Sequence, residues 1–264
     1  MPNERVTKDL QLKLQDISVS YGRNVILNHI SIDIFKGDYI GIIGPNGAGK
    51  STLIKAILGL IPLQKGAIQK SNTLRIGYVP QYSQFEKNFP ITVMDTILMG
   101  SITPNSEFFH RHSKSEKEKA VALAEFLHIE DCLHKNINNV SGGQMQKSMI
   151  ARAMIQSPDI LILDEPTSNV DNNSRNEIYD ILRDINKTQD TTVLLISHDI
   201  GAISAYVKSV ACLNQTLHYH PERAFTGPEI ERTFDCPIDL IAHGAPHRVL
   251  EQHDIVDLTT GRPQ

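Results

Sequence analysis

The 264-residue sequence contains no tryptophan and only three cysteines, and aromatic residues make up just 6% of it. The three cysteines, Cys132, Cys212 and Cys236, are odd in number and lie far apart in the chain. This pattern fits neither a disulfide framework nor the closely paired cysteines of a zinc site. We therefore expect reduced thiols, as in a cytosolic protein.

An excess of either charge is also lacking, since 26 Lys and Arg residues stand against 30 Asp and Glu residues, for a net charge of −4 at pH 7. No global positive field would attract a polyanion, so we expect no nucleic-acid partner. Long apolar runs are missing as well, because stretches such as 160–163 and 193–196 fall far short of the roughly 20 residues that span a bilayer. The sequence thus predicts neither a transmembrane helix nor a signal peptide.

What is present is a hydrophobic fraction of 40% in a chain long enough for one large or two small domains. Alternating apolar residues at 12–19 and 30–34 predict an antiparallel pair joined near Tyr21 and Gly22. Continuous β-branched residues at 39–43 predict a strand buried on both faces.

The rest of the chain shows mostly helical periodicity and then a return of strands. The predicted elements are a helix at 51–60, a mostly helical region at 85–155 with helices at 92–100, 115–128 and 141–156, a strand at 160–163, a helix at 172–188 and a strand at 192–196. The alternation of strand, helix and strand at the end predicts a parallel sheet.

A glycine-rich loop follows the buried strand at 39–43 and fits the pattern GxxxxGK[ST]. In such a loop backbone amides wrap phosphate groups, Lys50 reaches the β- and γ-phosphate oxygens and Ser51 ligates magnesium. The helix that follows adds its positive end. The predicted nucleotide-binding residues are Gly44, Pro45, Asn46, Gly47, Ala48, Gly49, Lys50, Ser51 and Thr52.

The phosphate loop alone does not choose among kinases, GTPases and ATPases. The apolar strand at 160–163 runs directly into two adjacent carboxylates, Asp164 and Glu165. Asp164 is placed to hold magnesium, and Glu165 is placed to polarise an attacking water. Two carboxylates with separate roles are typical of a hydrolase rather than of a kinase.

Between these motifs stand residues 140–144, Val-Ser-Gly-Gly-Gln, and here the chain resembles the ATP-binding cassette (ABC) family. The family usually has Leu where this chain has Val140, and Arg is more usual where it has Lys147. The resemblance implies an α/β fold: a P-loop NTPase (RecA-like) parallel sheet core, an N-terminal antiparallel β subdomain and an inserted helical subdomain at about 85–155. It implies an N-terminal tail at 1–9, a cassette domain at 10–211 and a histidine-containing extension at 212–264.

The resemblance also implies roles for single residues. Tyr21 matches the aromatic residue that stacks on adenine, and Gln81 matches the glutamine that touches magnesium and the lytic water. His198 matches the histidine that contacts the γ-phosphate and orients that water, and Asp171 matches the loop that crosses the dimer interface. The implied catalytic residues are therefore Glu165, His198 and Gln81, with magnesium held by Ser51, Gln81 and Asp164.

By the same resemblance, the signature residues bind the γ-phosphate of ATP held on the opposite subunit. Those residues are Ser141, Gly142, Gly143 and Gln144. One cassette per chain then implies a homodimer that encloses two ATP molecules. The further implied partners are integral membrane permease subunits, docked near Gln81, and an extracytoplasmic metal-binding protein reached through them. Such a subunit is cytoplasmic and lies peripherally on the inner face of the cell membrane.

Two segments are similar to those of the zinc, manganese and iron uptake ATPases. One is residues 89–100, and the other is the extension, at 212–220 and 236–247. We therefore expect a divalent-metal importer, with zinc first and manganese second. The extension carries five of the eleven histidines, His218, His220, His243, His247 and His253. They fit a sensor of cytosolic metal or an exposed, solvated tail.

Two rival functions stay open at this point. A cassette ATPase for another substrate, or one outside transport such as an iron–sulfur assembly ATPase, shares every motif of the nucleotide site. Chromosome-type cassettes are disfavoured, because the residues between Lys50 and Ser141 contain no sustained heptads. A small-molecule kinase is disfavoured by Glu165 and by the signature.

Overall fold

The structure is a computed structural model that describes residues 9–71, 73–81, 90–103, 111–168, 170–197, 206–221, 240–243 and 245–248. In chain order its elements are β1 Leu10–Tyr21, β2 Asn24–Phe35, β3 Tyr39–Ile43, α1 Lys50–Leu58, β4 Lys65–Lys70, β5 Ile76–Val79, α2 Val93–Leu98, α3 Lys114–Phe126, α4 Gly142–Met154, β6 Ile160–Asp164, α5 Asn172–Thr188, β7 Thr192–Ser197, β8 Ser209–Asn214, β9 Thr216–His220, β10 Leu240–His243 and β11 Ala245–Arg248.

A three-stranded antiparallel sheet opens the fold, in the order β2-β1-β4. The β1–β2 hairpin turns at Tyr21, which pairs with Asn24, as the alternating pattern predicts. Both strands run further than expected, because register shifts along β1 let the pairing continue past the interruptions in the apolar alternation.

A six-stranded sheet forms the centre, in the order β5-β6-β7-β3-β8-β9. Its first five strands are parallel, and β9 returns antiparallel to β8. Strands β3, β6 and β7 are buried along their whole length, because both faces of the sheet are covered. The predicted α/β fold with a parallel core and an antiparallel subdomain is confirmed.

Alternate residues of the central strands contribute to two separate apolar cores. On one face, Ile40, Ile162 and Leu194 pack with the antiparallel sheet and α1. On the other face, Leu161 and Leu195 pack with α5 and with the helices of the insertion. Every strand of the parallel sheet is thereby held between two layers, which fixes the positions of the strand ends that carry the site.

The insertion between β5 and β6 contains the three predicted helices, α2, α3 and α4. Each begins with a capping box. The side-chain oxygen of the residue before the helix accepts a hydrogen bond from the backbone amide three residues on, and the side chain of that later residue accepts one from the first residue's amide. The caps explain why α3 and α4 begin at Lys114 and Gly142 and not at the first residue predicted as helical.

The central sheet continues past residue 211, where we expect the cassette domain to end. The boundary falls inside β8, and β9 pairs with β8 as far as His220 opposite Val210. Residues 212–220 therefore form part of the core sheet, because their ladder hydrogen bonds are made with a buried strand. Further along, β10 and β11 form a hairpin. Among the described residues no helix is both long enough and apolar enough to cross a membrane.

Candidate active site

The phosphate loop joins the buried strand β3 to α1, as predicted. Lys50 is the first residue of α1, and its Nζ donates to the carbonyl oxygens of Gly44 at 2.8 Å and Pro45 at 3.0 Å. The side chain is only 8% exposed. Burial lowers the pKa of Lys50, and the nearby charges of Glu165 and Asp164 partly offset that effect. The loop thus holds a positive charge against its own backbone.

Glycines are required at particular points of this loop. Gly47 and Gly49 have φ angles of +83° and +97°, in the left-handed region that side chains disfavour. At Gly49 an added Cβ would also lie 2.8 Å from Leu27 Cδ2, which is too close. The backbone turn at Gly47 and the close approach to β2 at Gly49 therefore require glycine at these two positions.

The carboxylate at the end of β6 faces the first turn of α1. Ser51 Oγ donates to Asp164 Oδ2 at 3.3 Å, although 113 residues separate the two in the sequence. Asp164 is 4% exposed, and burial raises its pKa, while the hydrogen bond from Ser51 acts in the opposite direction. The exposed Ser51 hydroxyl and the buried Asp164 carboxylate together offer two oxygen ligands of the kind that Mg²⁺ prefers.

The next residue, Glu165, departs from ordinary backbone geometry. Its φ is +47°, which is rare for a residue with a side chain, and two hydrogen bonds hold it there. Its amide donates to the Ile196 carbonyl at 2.9 Å, and its own carbonyl accepts from the Ser168 amide at 3.2 Å. The Gln81 side chain, just after β5, donates to Glu165 Oε2 at 3.0 Å. Two bonds thus hold the backbone of Glu165, and the bond from Gln81 fixes its carboxylate.

These groups surround one cleft of about 420 Å³. Its lining consists of Ile26, Asn46, Gly47, Ala48, Gly49, Lys50, Ser51, Thr52, Gln81, Asp164 and Glu165. The cleft lies at the carboxyl ends of the parallel strands, where ligands of open α/β sheets bind. It combines anion-binding amides, a lysine, a carboxylate–hydroxyl pair and a candidate general base, which is the set needed for hydrolysis of a nucleoside triphosphate.

The signature segment lies at the start of α4. Ser141 caps the helix through its Oγ, which accepts from the Gln144 amide at 3.2 Å, and Gln144 Oε1 accepts from the Ser141 amide at 3.0 Å. Ser141 and Gly142 are exposed, whereas Gly143 is buried against Ser174 of α5. In the described part of the chain, the lining of the cleft does not include Ser141, Gly142, Gly143 or Gln144.

The comparisons with known proteins decide the family. A sequence profile described as ABC transporter matches residues 27–168, which is more than half of the chain. The chain belongs to the ABC transporter family. The resemblance predicted from the signature is therefore confirmed, and the chain is an ATP-hydrolysing cassette of this family.

Individual relatives of this ABC protein agree with that assignment. The chain is 36% identical over 227 residues to the zinc import ATP-binding protein ZnuC of Wigglesworthia glossinidia brevipalpis, covering 85% of this chain and 93% of ZnuC. It is 33% identical over 240 residues to the manganese transport system ATP-binding protein MntB of Listeria monocytogenes. This match covers 88% of this chain and 99% of MntB. Among solved structures, this chain superposes on a chain of an inward-facing structure assigned to a metal-chelate type ABC transporter, with a TM-score of 0.82 at 25% identity. The superposition covers 91% of this chain and 97% of the other.

The remaining predicted site residues of the ABC cassette lie as follows. Tyr21 stands at the tip of the β1–β2 hairpin and is 52% exposed, while Ile26 of β2 is the residue of this region that lines the cleft. Asp171 caps α5 by accepting from the amides of Asn173 and Ser174, and the Ser174 contacts lower its pKa. His198 lies outside the described residues. The roles of Tyr21, Asp171 and His198 stay predictions.

The histidines of the extension fall partly on β9. His218 and His220 share one face of this edge strand, because their positions differ by two. The described residues contain no group of three or more His, Cys, Asp or Glu side chains that could hold a metal ion. Of the five histidines in the extension, His253 lies outside the described part of the chain.

Sequence reasoning missed several residues that shape the ABC site. Ile26 lines the cleft but belongs to no motif, so no signal in the sequence could have identified it. The capping box of Ser141 with Gln144 could have been found, since a serine followed three residues later by glutamine is its known pattern. No sequence pattern predicts the buried hydrogen bond between Thr167 and Tyr179 either.

Proposed function

We propose that this ABC ATPase is the ATP-hydrolysing subunit of an importer of divalent metal ions. The observation that carries the hydrolytic part is the meeting of the phosphate loop with two consecutive carboxylates: Ser51 contacts Asp164, and Gln81 contacts Glu165. A kinase would have to place the hydroxyl of a second substrate beside the γ-phosphate. A glutamate whose carboxylate is held by a side-chain amide instead suits the polarisation of water.

Magnesium would be held by Ser51, Asp164 and Gln81. The fit is supported by the contact between Ser51 and Asp164, since hydroxyl and carboxylate oxygens are the ligands that this ion prefers. When bound with ATP, Mg²⁺ neutralises charge that develops on the phosphate oxygens.

In the proposed reaction Glu165 accepts a proton from water as the water oxygen bonds to the γ-phosphorus in line, while the bond from that phosphorus to the β–γ bridging oxygen breaks and ADP leaves. Lys50, at the base of the loop, offsets the growing negative charge on the phosphoryl oxygens. Gln81 orients the Glu165 carboxylate, so the general base has one preferred direction before the substrate is bound. We assign the contact with the γ-phosphate to His198 on resemblance alone.

The chain acts as a homodimer in this proposal. Support comes from Ser141, which is exposed at the start of α4 and away from the cleft of its own chain. In its cap the hydroxyl only accepts, so its proton is free to be donated to a phosphate oxygen of ATP held by a second subunit. Asp171 would lie at the same interface, where the exposed cap of α5 faces outward.

The membrane partners are permease subunits, with an extracytoplasmic metal-binding protein acting through them. The cassette would lie on the inner face of the cell membrane and dock through the insertion near Gln81. Because Gln81 contacts Glu165, a permease that moves the segment after β5 would also reorient the general base. Transport and hydrolysis would thereby be linked through one hydrogen bond.

Zinc is the first candidate for the transported ion and manganese the second. Two relatives that carry these ions in their names cover nearly the whole cassette of this chain. A cassette ATPase for another substrate, or one for iron–sulfur assembly, is the alternative, because the nucleotide site is common to all of them.

The test is the ATPase activity of the chain reconstituted with its permease and metal-binding protein, titrated separately with zinc, manganese and iron. With the other components at constant concentration, we expect zinc to stimulate the ATPase activity, or manganese to do so if manganese is the transported ion. A response to neither ion, with basal hydrolysis intact, would remove the metal proposal and leave the ABC ATPase. Absence of any phosphate release would contradict the hydrolytic proposal itself.

A further inference from the structure

A buried tyrosine holds the loop that carries the catalytic glutamate. Tyr179 lies on α5 and is fully buried, and its hydroxyl is 3.0 Å from Oγ1 of Thr167. Thr167 is itself buried and follows Glu165 by two residues. The hydrogen bond therefore joins the interior of α5 to the turn between β6 and α5.

The two ends of this turn are held in different ways. At its start, the Glu165 amide donates to the Ile196 carbonyl of β7 at 2.9 Å, and Gln81 donates to the Glu165 side chain. Further along, the Ser168 amide donates to the Glu165 carbonyl at 3.2 Å and the Val170 amide to the Thr167 carbonyl at 3.3 Å, and these two bonds stay within the turn. The strained φ of Glu165 persists only if the surroundings hold it, and the contact with Tyr179 ties the turn to α5.

The tyrosine is itself held rigidly. Its ring stacks on that of Tyr206 with centroids 4.9 Å apart and planes 27° from parallel. The guanidinium of Arg183, one turn further along α5, lies 6.0 Å from the centroid of the Tyr206 ring. Because the ring has little freedom, its hydroxyl presents a fixed point to Thr167.

We propose that Tyr179 is a positioning residue for ATP hydrolysis: through its hydrogen bond to Thr167 it fixes the turn that aims the Glu165 carboxylate and begins the loop toward Asp171. This inference rests on the proposed function, since it assigns a role to a group behind the general base. Tyr179 touches no reacting atom. It acts through Thr167 on the backbone of the turn.

The chain offers a matched control. Tyr39, at the start of β3, is also a buried tyrosine of the same apolar core, but its hydroxyl has no hydrogen-bond partner among the described residues. Burial is the main cause that raises its pKa, with smaller contributions from Tyr179 and Tyr206, so its hydroxyl stays neutral. Tyr39→Phe removes the same atom from the same core without breaking a hydrogen bond.

The experiment compares phosphate release by the full chain for wild type, Tyr179→Phe and Tyr39→Phe, with KM for ATP and thermal unfolding measured in parallel. Tyr179→Phe should lower kcat about tenfold with KM nearly unchanged, because the loss of about one buried hydrogen bond misdirects the base without altering the phosphate loop. Tyr39→Phe should leave both kinetic constants unchanged. A wild-type kcat in Tyr179→Phe would overturn the inference.

Variants of Thr167 test the same bond from its other end. Thr167→Val should repeat the loss of kcat, Thr167→Ser should restore most of it, and combining Thr167→Val with Tyr179→Phe should add little to either change. Equal activities of the Val and Ser variants would contradict the inference even if Tyr179→Phe proved unstable. A wild type that releases no phosphate would instead contradict the proposed function, so the two failures are distinguishable.

Discussion

The side-chain amide of Gln81 donates a 3.0 Å hydrogen bond to Oε2 of Glu165. The two residues follow different strands of the central sheet, β5 and β6, which pair in parallel and so end at the same edge. The bond leaves Glu165 able to accept a proton while fixing the direction of its carboxylate. In the proposed mechanism, a residue outside the phosphate loop thereby orients the general base.

Replacing Glu165 by Gln should abolish hydrolysis and preserve ATP binding. The substitution keeps the shape of the side chain but removes its basicity, so we expect kcat to fall by at least about 100-fold with little change in affinity for ATP. The trapped complex should persist as a dimer, which light scattering in the presence of Mg-ATP would detect. Glu118→Gln, an exposed change on α3, should behave like wild type. Full turnover by Glu165→Gln would exclude Glu165 as the general base.

Asp164→Asn should stabilise the nucleotide-free protein while abolishing its activity. Burial raises the pKa of Asp164 above its usual 3.8, so the folded state binds the proton more tightly than the unfolded chain does. The ionised carboxylate therefore costs stability at neutral pH, and this cost is relieved as the pH falls through the raised pKa. We expect the Tm of Asp164→Asn at pH 7 to lie above that of wild type, as measured by thermal unfolding without nucleotide.

The control for this change is Asp33→Asn, which removes an exposed carboxylate on β2. Its Tm should stay within about a degree of wild type, because exposed ion pairs contribute little. The difference in Tm between wild type and Asp164→Asn should become smaller as the pH is lowered. A lower Tm for Asp164→Asn at pH 7 would mean that Asp164 contributes more through its contact with Ser51 than its burial costs.

Loss of the α5 cap should destabilise the protein in a pH-dependent way. Hydrogen bonds from Ser174 and Asn173 lower the pKa of Asp171, so its stabilising effect is present above the ordinary value of 3.8 and is lost as the pH falls through the lowered pKa. We expect Asp171→Ala to reduce Tm at pH 7 by about 2–4 °C. Asp171→Asn can still cap the helix, so its Tm should fall by less than that of Asp171→Ala.

Thermal unfolding between pH 7 and pH 3 checks this expectation. The difference in Tm between wild type and Asp171→Ala should shrink toward acid, because the wild-type carboxylate becomes protonated there. A difference that is independent of pH would show that Asp171 acts through its size or its contacts and not through its charge.

The fold was predictable where local pattern and burial agree. The helix at Asn172–Thr188 was predicted with its bounds, because Asp171 is a strong cap and the apolar residues recur at helical spacing. The place of β9 in the central sheet was not predictable, for the opposite reason. Strand β9 is short, polar and half-exposed, so its place in the sheet depends on pairing with β8 and not on its own sequence.

The site was predictable where a motif fixes the chemistry. Lys50, Ser51, Asp164 and Glu165 meet in one cleft as their residue types imply. The support behind them was not predictable, because the contact of Thr167 with Tyr179 depends on how α5 packs against β6. No local pattern records that packing, and the positive φ of Glu165 likewise follows from the hydrogen bonds around it.

Gly143 lies at a close approach between the signature helix and α5, and an alanine there should weaken both folding and dimer formation. A Cβ added at Gly143 would lie 2.8 Å from both Cβ and Oγ of Ser174, closer than side-chain atoms pack. Helices α4 and α5 would have to separate, at a cost of about 1–3 kcal/mol. In a Glu165→Gln background we expect Gly143→Ala to reduce the fraction of dimer formed with Mg-ATP.

A second change decides whether this contact is the cause. Ser174→Gly removes both atoms that the new methyl group would meet, so combining it with Gly143→Ala should recover the dimer and most of the lost Tm. Light scattering with Mg-ATP and thermal unfolding without nucleotide measure the two effects separately. If Ser174→Gly restored Tm without restoring the dimer, the methyl group would be blocking the signature surface itself, and the defect would belong to the intersubunit contact and not to the packing of α4 on α5.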